Sequence, residues 1–144
     1  MAEFVYDGKF TNLEVDKLYT KCLIYNISAS LTLTTLDSGT YYFVNASANN
    51  VVITLPTATS GNGMKFTFML SGVSNSYYLR LTSASTIYGI IVSNSLYIST
   101  SGTTLTVQAD SPQNIIIGAK ISIISNGTNY YVIDDNTRVP LVFT

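Results

Sequence analysis

From residue 31 onward, apolar and polar positions alternate in short runs separated by small polar clusters. Lys65-Phe66-Thr67-Phe68-Met69-Leu70 places Phe66, Phe68 and Leu70 on one side of an extended chain, because successive side chains of a strand point to opposite faces. Tyr77–Leu81 does the same with Tyr77, Leu79 and Leu81. Val51-Val52-Ile53-Thr54-Leu55 is rich in β-branched residues and is stopped by Pro56, as a strand would be. Ile121 and Ile123 oppose Ser122 and Ile124, Gly127 supplies a turn, and Tyr130-Tyr131-Val132-Ile133 returns from it. Leu31–Leu36, Tyr41–Val44, Thr86–Val92, Leu96–Thr100, Thr104–Gln108 and Asn114–Ile117 are further candidate strands. Asp37-Ser38-Gly39, Ser60-Gly61-Asn62-Gly63, Ser101-Gly102 and Ser125-Asn126-Gly127 supply turn chemistry between them. Asn126-Gly127 is the sharpest, since a type I′ hairpin turn needs positive φ at both central positions. Strands recurring every ~8–12 residues with no amphipathic helix between them predict an all-β domain. The expected form is an antiparallel sandwich or jelly-roll-like head.

The first residues differ. Glu3, Asp7, Lys9, Glu14, Asp16, Lys17 and Lys21 are seven of the fifteen charges, and all lie before residue 22. This shift divides the chain into an extended N-terminal arm, residues 1–26, and a head, residues 27–144. Within the arm, Thr11, Leu13 and Val15 alternate against Glu14 and Asp16. From Lys17 the apolar phase moves by one residue, to Leu18 and Cys22. Such a slip marks a bulge or a break between two short strands; a helix from Leu13 to Ile24 is the competing form. Leu13, Val15 and Leu18 are the arm's expected interface residues.

Composition removes many functions. Of 144 residues, 19 are Thr, 17 Ser and 12 Asn, one third of the chain, whereas 10% are charged; about 25% is usual. With 47% hydrophobic residues the chain has the means to bury a core. The absence of His excludes imidazole acid–base catalysis, Ser-His-Asp triads and His-ligated metals. The single cysteine, Cys22, excludes an intrachain disulfide framework and Cys-cluster metal sites. Seven Lys plus Arg and a net charge of −1 leave no electrostatic footprint for nucleic acid or an anionic membrane. The Met1-Ala2-Glu3-Phe4 start lacks the features of a signal peptide, and no apolar run approaches the ~20 residues of a membrane span. No cofactor and no enzymatic activity are expected. A sheet protein with few charges and three Pro has little with which to blunt its edges. Its edges and apolar excess are therefore expected to be covered by copies of itself.

Two stretches carry a resemblance. Leu33-Thr34-Thr35-Leu36-Asp37-Ser38-Gly39-Thr40-Tyr41-Tyr42-Phe43-Val44 leads into Ile53-Thr54-Leu55-Pro56 and Gly63-Met64-Lys65-Phe66-Thr67-Phe68. Gly118-Ala119-Lys120-Ile121 continues through Ser125-Asn126-Gly127 to Tyr130-Tyr131-Val132. The pattern, over residues 31–134, resembles β-structured virion modules of phage tail fibres and of capsid or fibre (decoration) proteins of large DNA viruses. Many of those modules carry Trp where Tyr130 or Tyr131 stands. The resemblance implies a homotrimeric structural component located in the virion, with other virion or capsid proteins as partners and no transferable catalytic residues. It also implies that the arm intertwines about a threefold axis.

Candidate sites are few. The doublets Tyr41-Tyr42, Tyr77-Tyr78 and Tyr130-Tyr131 each send one ring outward. Tyr41, Tyr77 and Tyr130 are the candidates for a ligand or interface surface, including a lectin-like tip for host-surface glycan. Asp134-Asp135-Asn136 is a candidate cation site that reads more simply as a turn. Asp110 and Asp134 are the carboxylates a glycosidase would need, without a spacing that singles them out. Asn26-Ile27-Ser28, Asn45-Ala46-Ser47 and Asn126-Gly127-Thr128 match the glycosylation pattern and are read as unmodified.

Overall fold

The computed structural model describes residues 23–74, 76–93, 96–107, 117–135 and 141–144. Among these described residues the alternating runs form ten strands: β1 (Ile24–Ile27), β2 (Leu31–Thr32), β3 (Tyr41–Ala46), β4 (Val51–Thr54), β5 (Asn62–Val73), β6 (Leu79–Ser93), β7 (Leu96–Val107), β8 (Lys120–Asn126), β9 (Tyr130–Asp135) and β10 (Leu141–Phe143). The all-β class is as expected from the pattern. Leu13, Val15 and Leu18 lie outside the described residues. Ile24, Tyr25 and Asn26, assigned to the arm, are instead part of β1 and pair with β3.

The pairing is mixed, where tight turns predict an antiparallel sandwich. Sheet order is β1-β3-β5-β8-β9-β6-β4-β2, with β7 beside β6 and β10 beside β7. The first six strands alternate between two sets. β1, β3 and β5 pair in parallel, as do β2, β4 and β6. The reason lies in the connections: β2–β3, β3–β4 and β4–β5 carry the chain across the core instead of reversing it on the spot. Thr35–Asp37 and Ala58–Ser60 are 3₁₀ turns within two of these crossings. Later strands do form hairpins. β8 and β9 meet through Gly127 at φ 87°, with Asn126 Oδ1 accepting from the Thr128 and Asn129 amides. The path from β1 to β2 has eight strands, and its two end strands are three residues apart in sequence.

Both sets of strands face a single core. In-register positions stack into columns: Tyr25, Tyr42 and Phe68 on the first set, then Ile27, Val44 and Leu70. Leu31, Ile53, Leu81 and Leu105 form the facing column on the second. The ring centroids of Tyr25 and Tyr42 are 6.0 Å apart, and those of Tyr42 and Phe68 5.6 Å. Most of these side chains are fully buried, but the columns end on half-exposed Tyr25 and exposed Leu31.

One expected turn lies inside a strand, and two expected strands are one. Ser101-Gly102 falls within β7, where a Cβ on Gly102 would come 2.5 Å from the Thr144 carbonyl oxygen. Gly is required there for close approach, not for a reversal. Leu79–Leu81, the end of the expected Tyr77–Leu81 strand, and Thr86–Val92 are joined as β6 through an irregularity between Thr82 and Ile87. Leu31–Leu36 is shorter than expected, because β2 gives way to the 3₁₀ turn.

Candidate functional site

The outer face where β6 runs beside β9 carries four exposed large apolar side chains. Ile87 pairs with Tyr130 and Tyr88 with Tyr131, in parallel. Strand alternation turns Ile87 and Tyr130 into the core and Tyr88 and Tyr131 out of it. Two residues further along each strand, Ile90 and Ile133 follow them outward. Ile90 is 58% exposed, Ile133 50%, and Tyr88 and Tyr131 each 37%. The two tyrosine rings stack, with centroids 5.4 Å apart and planes 18° from parallel. Half-buried Ile124 extends the array on β8, paired with Tyr131. Its neighbours on the flanking strands are polar: Ser101 opposite Tyr88, and Lys65 opposite Ile124. Asn126 Nδ2 donates to the Tyr131 hydroxyl at 3.4 Å. An apolar centre with a polar rim is the anatomy of a protein-binding surface, and scattered exposed apolar residues do not produce it.

Of the tyrosines expected outside, Tyr41 and Tyr77 are half-buried and Tyr130 is wholly buried. One ring of the Tyr130-Tyr131 doublet does face outward, but it is Tyr131. The hairpin sets the phase: Tyr130 sits opposite buried Ser125, and Tyr131 opposite Ile124. Val132 and Ile133 are both apolar, so composition alone leaves either phase acceptable. Tyr130 instead braces the loop after β4. Its hydroxyl donates to the Pro56 carbonyl at 2.9 Å, and Ser125 Oγ donates to the Ala58 carbonyl at 2.9 Å. Ala58 N–H in turn donates to Ser85 Oγ.

Tyr41, Tyr77 and Tyr130 do not form one surface. Tyr41 begins β3, whereas Tyr77 precedes β6, next to Tyr78, whose carbonyl accepts from the Val51 amide at the start of β4. β3 alone spans roughly 20 Å at ~3.3 Å per residue. Tyr78 carries the Arg80 guanidinium over its ring at 4.4 Å, and Arg80 Nε donates to Thr106 Oγ1.

Burial pushes the Tyr130 hydroxyl up to about 12. Tyr42 is also raised to about 12, first by burial and then by the negative charge of Asp37. The Tyr42 hydroxyl is buried and has no hydrogen-bond partner. Asp110 and Asn136 lie outside the described residues, as do the side chains of Asp134 and Asp135. No group of three or more Asp, Glu, Cys or His side chains able to hold a metal occurs among the described residues.

A second surface feature lies across β1, β3 and β5. Asn26, Ile27, Ser28, Phe43, Asn45 and Ser71 line a shallow depression of about 280 Å³. One half-buried ring stands there among amides and hydroxyls.

Fold and site together define an all-β protein with a mixed sheet and an exposed aromatic–aliphatic face. Comparison with protein-family models, curated proteins and solved structures finds no significant match.

Proposed function

We propose that the protein is a structural assembly subunit, a homotrimer built into a virus particle as a capsid-decoration or fibre-head component. The observation that carries this reading is the Tyr88–Ile90–Tyr131–Ile133 face. Covering it removes two aromatic and two aliphatic side chains from water at about 25 cal/mol per Å² of apolar area. The scarcity of charge suits the same role, because an interface between like copies then has little charge repulsion to overcome. The resemblance of residues 31–134 to virion β-modules supports the particle setting and the threefold symmetry.

Light scattering on the purified chain tests the reading. The expected mass is three times 15.6 kDa, falling to one chain in a Tyr131→Ser/Ile133→Ser variant that keeps its strand content. A wild-type chain that stays single at every concentration overturns it.

The depression around Phe43 favours a second reading, a lectin-like module. Sugar rings stack on aromatic faces while amides and hydroxyls take their hydroxyl groups. Selective binding on a glycan array, abolished by Phe43→Ala, would support this reading over assembly alone.

A further inference from the structure

The turn between β8 and β9 places the Asn126 carboxamide next to the Gly127 nitrogen, two groups that react with each other in an unconstrained chain. Glycine has no Cβ to hinder the approach. The Gly127 nitrogen gives its proton to hydroxide and bonds to Asn126 Cγ. The Cγ–Nδ2 bond breaks, Nδ2 regains a proton from water, and ammonia leaves behind a five-membered imide. Water then opens the imide at one of two carbonyls. Opening at Cγ leaves aspartate at position 126. Opening at the main-chain carbonyl leaves isoaspartate, with the chain running through Cγ. Nothing is oxidised or reduced, and water is the only co-reactant.

In the fold both reacting groups are engaged elsewhere. The Gly127 N–H donates to Ser125 Oγ at 3.0 Å. Ser125 is buried and its own hydroxyl donates to the Ala58 carbonyl at 2.9 Å, so the oxygen that holds the Gly127 N–H is fixed in the core. The Asn126 carboxamide is held at both ends. Its Oδ1 accepts from the Thr128 amide at 3.0 Å and the Asn129 amide at 2.9 Å, and its Nδ2 donates to the Tyr131 hydroxyl at 3.4 Å. The Asn126 N–H donates to the Asn129 carbonyl at 3.1 Å and closes the turn. Closing the imide swings Cγ onto the Gly127 nitrogen and strips that nitrogen of its proton. The Ser125 bond and the carboxamide's bonds are then lost together, which requires the hairpin to open locally.

We propose that Asn126 is a modification site kept latent by its own hairpin, converting to aspartate or isoaspartate only when the β8–β9 turn opens. The conversion is irreversible in water and marks a chain that has opened. Isoaspartate adds a carbon to the main chain inside the turn, and the tight closure from Asn126 to Asn129 does not accept it. β9 then loses the phase that turns Tyr130 inward and Tyr131 outward. Either product places a negative charge beside the Tyr131 hydroxyl, at the rim of the face assigned to assembly. That last consequence rests on the assembly reading, whereas the site itself does not. Asn62-Gly63 is the chain's other Asn-Gly pair, and Asn62 stands opposite Asn126 across the β5–β8 ladder. It provides an internal reference for the same chemistry.

Peptide mapping of the full chain, held in mildly alkaline buffer, tests the proposal. Mass spectrometry reads the exchange of NH2 for OH at Asn126 and at Asn62. In urea above the unfolding midpoint the two sites should convert at similar rates. In the folded protein Asn126 should convert about tenfold more slowly than in urea, or slower still, as a site that reacts only through local opening does. Ser125→Ala removes the acceptor of the Gly127 N–H and should speed conversion of folded Asn126 several-fold. Slow hydrogen exchange at Phe66 and Ile123 shows that the variant keeps its sheet. Should that variant fail to fold, Tyr131→Phe removes the partner of Nδ2 from the surface and should speed conversion to a smaller extent. The two amides on Oδ1 could instead stabilise charge developing on that oxygen. Folded Asn126 would then convert as fast as in urea or faster, which overturns the proposal. An unchanged rate in the folded variants overturns it as well.

Discussion

Tyr42 and Tyr130 are equally buried yet differ in what their hydroxyls do. The Tyr130 hydroxyl holds the Pro56 carbonyl, whereas that of Tyr42 has no partner. Tyr130→Phe should therefore cost about 1 kcal/mol, the worth of an ordinary hydrogen bond. Tyr42→Phe should leave stability unchanged or raise it by up to ~1 kcal/mol, because it removes a desolvated polar atom. Urea denaturation of the two variants checks both. The same residues set an alkaline limit. Each has its folded-state value raised from 10.0 to about 12. Above pH 10 the unfolded chain releases protons that the folded chain retains. Their stabilising contribution is thus complete below pH 10 and is lost as pH rises through about 12. The urea midpoint should fall over that interval, and fall less steeply in Tyr42→Phe. No such decline in the wild type would mean that these hydroxyls ionise as freely in the fold as in water.

At the scale of elements, glycine acts in two ways that look alike in sequence. Gly127 serves a reversal through its positive φ, and Asn126-Gly127 is legible as a hairpin because few other pairs accept that geometry. Gly102 serves a close approach. The Thr144 amide and carbonyl are both bonded to Thr104 across the β7–β10 edge, which holds the C-terminal residue against Gly102. Gly102→Ala must displace backbone, not a flexible side-chain tip. It should release β10, raise exchange at Val142 and Phe143, and lower the melting temperature by several degrees, as expected for a loss of about 1–2 kcal/mol. An alanine variant with an unchanged β10 would show that the C-terminal strand is not held by this contact.

For the molecule as a whole, the decisive feature is a sheet whose two sets of parallel strands face one core. Its outer face and its end present different apolar surfaces. Tyr88, Ile90, Tyr131 and Ile133 lie on the face and suit a broad contact between copies. Tyr25 and Leu31 lie exposed at the ends of the two internal columns. Tyr131→Ser/Ile133→Ser should lower the mass read by light scattering while amide exchange at Ile24–Ile27 stays as in the wild type. A variant that altered both together would show that one interface serves both surfaces.

Much of this was open to the sequence by itself. Alternation, β-branching and turn clusters determined the all-β class and the position of most strands, because those signals act between neighbours along the chain. Of the Tyr130-Tyr131 doublet one ring does face away from the core, but it is Tyr131 and not the expected Tyr130. What only the tertiary structure decided was phase and partner: which ring of a doublet turns inward, whether Gly102 bends the chain or lets another strand approach, and whether consecutive strands pair with each other or cross the core. These depend on residues tens of positions apart, such as Tyr25, Tyr42 and Phe68, whose common column arises from register. Local spacing carries no trace of register when the crossings differ in length.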